Sequence, residues 1–209
     1  MKPFWKPSQK TIHDSNIYKM MQKHHFSSYD ELWKWSANNR EEFWGETINN
    51  LDIKLNQQYH SVFDITKGIE QPQWLLGSKL NIVDSCFQND NDATAVIYQK
   101  EGGSLQRVSQ NELEILVNKV ANGLRKLGIN KGDRIAIDMP MTLEAVAIYL
   151  AAIKAGNPVA TIADSFTPNE ISVRLKITKP KIIFTQDVLQ RAGKLLPLYQ
   201  KVVEAEAPK

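Results

Sequence analysis

A single cysteine, Cys86, stands in the 209 residues. It excludes an internal disulfide and any metal site built from several thiolates, and it suits a reducing compartment. Long hydrophobic runs are missing too. The longest, "AVAIYLAAI" from Ala145 to Ile153, is far below the ~20 residues a membrane span needs. The opening "MKPFWKPSQKTIHDSN" holds no apolar core of signal-peptide length. A soluble, intracellular chain is expected. Charge of one sign is scarce as well: the formal net charge is +3, with 26 Lys and Arg interspersed among 23 Asp and Glu. That balance gives no case for nucleic acid.

Glycine is present but not in phosphate-binding patterns. None of the ten glycines has the G-x-x-x-x-G-K-S/T spacing of a phosphate loop or the G-x-G-x-x-G spacing of a dinucleotide site. Without that second pattern, nicotinamide-dependent chemistry is disfavoured. His24 and His25 are adjacent and would point apart on a helix, so they cannot share a metal in the i, i+4 manner. His13 and His60 stand alone and read as surface or packing residues. Glu41 and Glu42 read as a solvated acidic pair, not as glycosidase carboxylates. Ser36, Ser85 and Ser109 lack a nucleophile elbow, and Cys86 has no evident base. No local active centre is legible.

What is there divides into halves. All five tryptophans (Trp5, Trp33, Trp35, Trp44, Trp74) precede residue 75, and from Ala93 onward Val, Ile, Ala and Leu dominate. The polar run "QNDND" at Gln88–Asp92 marks the expected boundary, giving regions 1–92 and 93–209. The first reads as helical and irregular. In "SYDELWKWSANNREEFWGETI", Ser28 and Glu31 have capping-box spacing, and Leu32, Trp33, Phe43, Trp44 and Ile48 fall on roughly one face, as packing residues do.

The second half alternates strand and helix. "TAVIYQ" and "SLQRVS" around Gly102 and Gly103 read as a hairpin. Ser109 and Glu112 repeat the capping-box spacing. Leu113, Leu116, Val117, Val120, Leu124 and Leu127 line one face of the helix that follows, and Gly128 ends it. "DRIAIDM" reads as a buried strand stopped by Pro140, Thr142–Ala155 as an apolar helix ending at Gly156, and "PVATI" as a strand. Thr167, Pro168 and Glu170 open a further helix. "KIIFTQ" is a strand and "LLPLYQKVVEAEA" a helix. This order predicts an α/β fold with a parallel sheet and right-handed crossovers.

In such a sheet, ligands bind beyond the carboxyl ends of the strands. Two segments leave that edge: "ADSF" (Ala163–Phe166) and "DVLQRAGK" (Asp187–Lys194). Arg191 and Lys194, with Ala192 and Gly193 between them, would suit a phosphate on a turn or first helical turn; the alternative is a solvated basic pair.

At this point the sequence resembles the N-terminal part of the AMP-forming acyl-CoA synthetases, within the adenylate-forming superfamily, from about Tyr29 onward. "YDELWKWSANNREEFW" is similar to that family's first helical stretch. "WLLGSKLNIVDSCF" follows its W-x-x-G-x-x-L-N pattern through Trp74, Gly77, Leu80 and Asn81. "GINKGDRIAIDMPMTLEAVAIYLAAIKAGNPVATIADS" is similar to its strand–helix–strand core, with "KAG" at Lys154–Gly156. "RLKITKPKIIFTQD" and "RAGKLLPLYQKVVEA" continue the match, and the wording is closest to the acyl-activating branch that includes plant peroxisomal members.

The resemblance implies an acetyl-CoA synthetase-like N-terminal region over 1–92 and part of the first α/β subdomain of the adenylation domain over 93–209. It implies a parent enzyme that takes a carboxylic acid, ATP with Mg, and CoA, through an acyl-adenylate. It implies Arg191 and Lys194 as contacts to the 3′-phosphate of CoA, and Ala163, Asp164 and Ser165 as the loop nearing the CoA adenine. The family often has aromatic and glycine residues in that loop; Asp164 would bring negative charge close to an anionic ligand, which argues against the same pose. The family's Ser/Thr/Gly-rich loop and C-terminal lysine lie beyond Lys209, so the isolated chain is expected to be inactive and to self-associate through an exposed sheet edge. The compartment would be cytoplasmic or peroxisomal. The alternative is a short non-catalytic binding module on the same fold, its Trp-rich half facing a partner.

Overall fold

The computed structural model describes residues 4–205, and contacts divide the chain into two units between Lys79 and Leu80. The first unit begins with two short helices, α1 (Gln9–His13) and α2 (Asn16–Lys23), capped by the Ser8 and Ser15 hydroxyls. The tryptophan-rich stretch then forms two helices, α3 (Tyr29–Asn38) and α4 (Arg40–Asn50). Asn39 causes the break: its backbone and side-chain amides both donate to the Trp35 carbonyl, at 2.8 and 3.1 Å. An asparagine that turns back on the preceding turn offers the backbone an alternative to continuing the helix. At the start of α3 the Ser28 hydroxyl accepts from the Glu31 amide. The Glu31 carboxylate, however, reaches one residue further than a capping box requires, to the amide and hydroxyl of Ser27.

Strands β1 (Ser61–Asp64) and β2 (Gln73–Leu76) pair antiparallel behind these helices. Ring contacts run from Trp35 to Phe43, Trp44, Trp74 and Phe63, mostly edge-on or tilted, the geometry that aromatic quadrupoles favour. The expected packing face is thus only partly buried: Leu32 is enclosed, whereas Trp33 and Trp44 remain 55% and 41% exposed. His24 leans on Trp35 and bonds Glu46 at 2.7 Å. Gly77 has φ +81°, and a Cβ there would meet His60 Nδ1 at 2.6 Å, so this position of the W-x-x-G motif must be bare.

In the second unit a 3₁₀ turn at Ile82–Ser85 precedes the hairpin β3 (Thr94–Gln99) and β4 (Leu105–Ser109). Asn81 begins that turn, and its side-chain amide donates to the Ile153 and Lys154 carbonyls at 3.1 and 3.2 Å. Ser109 and Glu112 form a full capping box at the start of α5 (Gln110–Lys126). Leu113, Val117 and Leu124 of α5 are buried, but Leu127 lies at the helix end, 66% exposed, outside the expected apolar face.

Three parallel strands follow: β5 (Ile135–Asp138), β6 (Val159–Ile162) and β7 (Ile182–Phe184), in spatial order β6-β5-β7. Helix α6 (Leu143–Lys154) links β5 to β6, and α7 (Pro168–Thr178), opened by a Thr167–Glu170 capping box, links β6 to β7. Side-chain alternation along β5 separates two faces. Ile135 and Ile137 pack with Leu124, Ile148 and Ala152 of α5 and α6. Ala136 packs with Ile162, and with Ile171 and Leu175 of α7, on the other. Full burial of side chains such as Leu124, Ile135 and Ile171 stabilises the unit by about 1.5–3 kcal/mol each. The α/β class and parallel sheet are as expected.

The chain ends differently from its expected single helix. Residues Leu189–Arg191 (β8) and Lys194–Leu196 (β9) form a small antiparallel hairpin, so Leu195 and Leu196 are extended. Only after Pro197 does α8 (Leu198–Glu204) begin. Proline removes a backbone donor and fixes φ, which suits a helix start and not its interior. Glu206 and Ala207 lie outside the described residues. No helix among the described residues is long and apolar enough to cross a membrane.

Candidate functional site

Helices α6 and α7 cover opposite faces of the sheet, so the connections leaving β5 and β6 diverge. In open parallel sheets, ligands bind beyond the carboxyl ends of the strands. Here that end borders a cleft of about 840 Å³ lined by Met139, Met141, Tyr149, Asp164, Phe166 and Arg191, among others, within the size range of small-molecule sites.

The two segments singled out from sequence meet at this cleft. Ala163–Phe166 is a tight turn closed by the Phe166 amide on the Ala163 carbonyl at 2.9 Å. Ala163 and Ser165 are exposed, and Asp164 is half-buried. Arg191 and Lys194 lie on the β8–β9 hairpin, not on a helix, and face each other in register across the two-residue turn Ala192–Gly193. Both turn residues have positive φ, +51° and +73°, the combination that matches hairpin twist. Directly opposed residues share one face of a hairpin, so the two cations sit side by side, a repulsive arrangement unless an anion intervenes.

Asp164 engages one of the two cations. Its carboxylate accepts two hydrogen bonds from the Arg191 guanidinium, at 2.7 and 3.3 Å. The negative charge that set this loop apart in sequence is therefore already engaged by Arg191. Glu101 supplies another contact by accepting from the Gly193 amide at 2.8 Å. Lys194 is exposed and has no ion pair among the described residues.

Sequence reasoning missed three further residues. Asp138, the last residue of β5, is 0% exposed, and neither of its carboxylate oxygens has a hydrogen-bond partner. Burial pushes its carboxyl up to about 6, nearby Asp164 adds to the rise, and Lys201 pulls the other way. Thr185, just past β7, also has a buried, unpartnered hydroxyl. Lys201 of α8 donates from Nζ to the Asp164 and Phe166 carbonyls, at 2.6 and 2.8 Å. Asp138 could have been flagged as the lone charge closing the apolar strand "IAID". Lys201 carried no such signal, because its partners lie 37 and 35 residues away.

Comparison with known proteins gives this geometry a family. Residues 83–208 match the model for AMP-binding enzymes, and residues 29–86 match that for the acetyl-coenzyme A synthetase N-terminus. The chain is 35% identical over 226 residues to the probable acyl-activating enzyme 17, peroxisomal, of Arabidopsis thaliana, covering 99% of this chain and 31% of that protein. It is 33% identical over 227 residues to the hexanoyl-CoA synthase of Cannabis sativa, covering 99% and 32%. Rat (Rattus norvegicus) acetoacetyl-CoA synthetase is 32% identical over 192 residues, covering 84% and 29%.

Among solved structures, an acetoacetyl-CoA synthetase from Streptomyces lividans superposes with a TM-score of 0.86 at 25% identity. That match covers 98% of this chain and 33% of the other. The chain spans about a third of the length of these relatives. With the family model matching over residues 83–208, it belongs to the AMP-binding enzyme family and corresponds to the N-terminal part of the acyl-CoA synthetases within it.

Proposed function

We propose that this chain is the N-terminal portion of an AMP-forming acid–CoA ligase. The whole enzyme would condense a carboxylic acid with ATP to an acyl-adenylate and pyrophosphate; CoA would then displace AMP and leave as the thioester. The observation that carries this reading is the 35% identity to an acyl-activating enzyme across 99% of the chain. Matches to enzymes along nearly the whole length speak for a ligase and not for a non-catalytic binding module.

In this reading the chain contributes one corner of the CoA site. Arg191 and Lys194 hold the 3′-phosphate, and the turn Ala163, Asp164, Ser165 flanks the adenine. The side-by-side cations support it, since a phosphate between them would relieve their repulsion. To bind there, the phosphate competes with Asp164 for Arg191. Mg²⁺ enters only as the companion of ATP: no cluster of three or more His, Cys, Asp or Glu suited to a metal occurs among the described residues, and none is assigned to it. The relatives named peroxisomal support an intracellular, peroxisomal or cytoplasmic, setting.

Catalysis of this kind needs the phosphates neutralised and the reactants held in line. The 209 residues alone are expected to lack that capacity. Acid-dependent ATP–pyrophosphate exchange tests both parts. The full-length protein should exchange with at least one acid and form a thioester with CoA; the isolated chain should stay at background. Failure of the full-length protein across a broad acid panel would overturn the ligase reading, and exchange by the isolated chain would overturn its predicted inactivity.

A further inference from the structure

The charged side chains that line the cleft at the carboxyl ends of the strands are Asp164, Arg174 and Arg191. Two of them neutralise each other, because the Asp164 carboxylate is paired with the Arg191 guanidinium at 2.7 Å. Arg174 is left as the uncompensated charge of the lining, with no ion pair among the described residues. None of the contacts assigned to CoA uses it.

The fold fixes this side chain without discharging it. Arg174 lies within α7 and is half-buried. Helical side chains lean toward the N-terminus of their helix, which carries its guanidinium back over the preceding turn. There one N–H donates to the Glu170 carbonyl at 2.8 Å, and the guanidinium carbon sits 3.8 Å from the centroid of the Phe166 ring. A cation over an aromatic face is attracted by the ring quadrupole but keeps its charge. Glu170 itself directs its carboxylate to the Thr167 amide and hydroxyl, at 2.8 and 2.9 Å, and forms no ion pair with Arg174. A guanidinium has several further N–H donors, and those of Arg174 have no hydrogen-bond partner among the described residues.

We infer that Arg174, seated on Phe166, is a second phosphate-binding residue of the cleft and takes the 5′-pyrophosphate of CoA; this rests on the proposed CoA site. CoA carries two separate anionic groups on one ribose, the 3′-phosphate and the 5′-pyrophosphate. With the first on Arg191 and Lys194, the second is left to the other cation that lines the cleft. The planar fork of a guanidinium matches paired phosphate oxygens. Phe166 and the Glu170 carbonyl already hold that fork in place, so less side-chain freedom is lost when a ligand binds. Unlike Arg191, Arg174 need not leave a carboxylate first. The hairpin then reads the 3′-phosphate, and α7 takes the diphosphate that CoA shares with 3′-dephospho-CoA.

The test uses the full-length protein and its Arg174→Gln, Arg174→Lys and Arg191→Gln variants. Each is titrated with CoA, with 3′-dephospho-CoA and with adenosine 3′-phosphate, which lacks the 5′-phosphates. Arg174→Gln should weaken CoA and 3′-dephospho-CoA by the same factor, about ten- to a hundredfold, the size of a lost charge-assisted hydrogen bond. It should bind adenosine 3′-phosphate as the wild type does. Arg191→Gln should lose affinity for CoA and adenosine 3′-phosphate but not for 3′-dephospho-CoA. Arg174→Lys keeps the charge without the fork and should recover part of the loss. If the Phe166 stack serves packing alone, Arg174→Gln will lower all three affinities together or none, and either result overturns the inference. The selective loss in Arg174→Gln, with Arg191→Gln binding CoA normally, supports Arg174 and removes the hairpin from the 3′-phosphate. A wild type that binds none of the three ligands overturns the CoA site itself, and the role of Arg174 with it.

Discussion

Asp164 and Arg191, 27 residues apart in sequence, meet as a bidentate pair at 2.7 and 3.3 Å. The β8–β9 register sets Arg191 opposite Lys194, and the pair withholds half of the positive charge an incoming phosphate would use. Asp164→Asn should therefore strengthen binding of CoA by the full-length protein several-fold and leave 3′-dephospho-CoA unchanged, as read by titration calorimetry. An equal effect on both ligands would sever the hairpin from the 3′-phosphate.

The pH dependence of stability carries a sign that isolates Asp138. Burial raises its folded pKa to about 6, above the ordinary aspartate value of 3.8, so its contribution is fully present below pH ~4 and lost as pH rises through ~6. The shift corresponds to about 3 kcal/mol. Glu31, Asp64, Asp133 and Glu170 are shifted the other way, mainly by hydrogen bonds to their charged forms, so their contribution is lost toward acid. Urea unfolding of wild type and Asp138→Asn at pH 4 and 7.5 separates the two. The variant should gain relative to the wild type as pH rises; a gap that does not change with pH would refute the burial argument.

Asn81 ties the 3₁₀ turn to the end of α6 with two hydrogen bonds. Asn81→Ala should cost about 1–3 kcal/mol, visible as an earlier urea midpoint with an unchanged slope. A midpoint within error of the wild type would mean that water replaces both bonds.

Ala192 holds a φ of +51°, a conformation that costs a residue with a Cβ about 1 kcal/mol. Asparagine tolerates it better, and Asn-Gly is a favoured two-residue hairpin turn. Ala192→Asn should raise stability by about 0.5–1 kcal/mol in the same unfolding assay. A destabilised variant would argue against this turn geometry.

How far the sequence carried depended on where the determining contacts lie. Ser109 and Thr167 cap helices whose first turns they begin, so local spacing was enough. The parallel sheet followed from β-branched runs alternating with apolar helices. The break at Asn39 was less legible, because it depends on an amide turning back to Trp35 and not on a proline or glycine. The β8–β9 hairpin was missed because its turn begins with alanine, which gives no sign of a positive φ. The site was legible as two segments, Ala163–Phe166 and Asp187–Lys194, but not as a junction: Arg191–Asp164 and Lys201–Phe166 form only when distant stretches converge.

Both outer strands of the three-stranded sheet, β6 and β7, have one unpaired side among the described residues. Exposed strand edges recruit other strands, so the isolated 209-residue chain should self-associate as its concentration rises, as sedimentation velocity would show. A single monomer peak across a hundredfold range of concentration would exclude this.

The Gly193–Glu101 bond closes a span of 92 residues, and that bears on the order of assembly during synthesis. Glu101 and Asp164 leave the ribosome well before the hairpin that carries Arg191 and Gly193. Long closures are entropically slow to make, and this one becomes available only near the end of these 209 residues. Within these 209 residues the two acids therefore precede the basic hairpin, which can settle against them only once it has emerged.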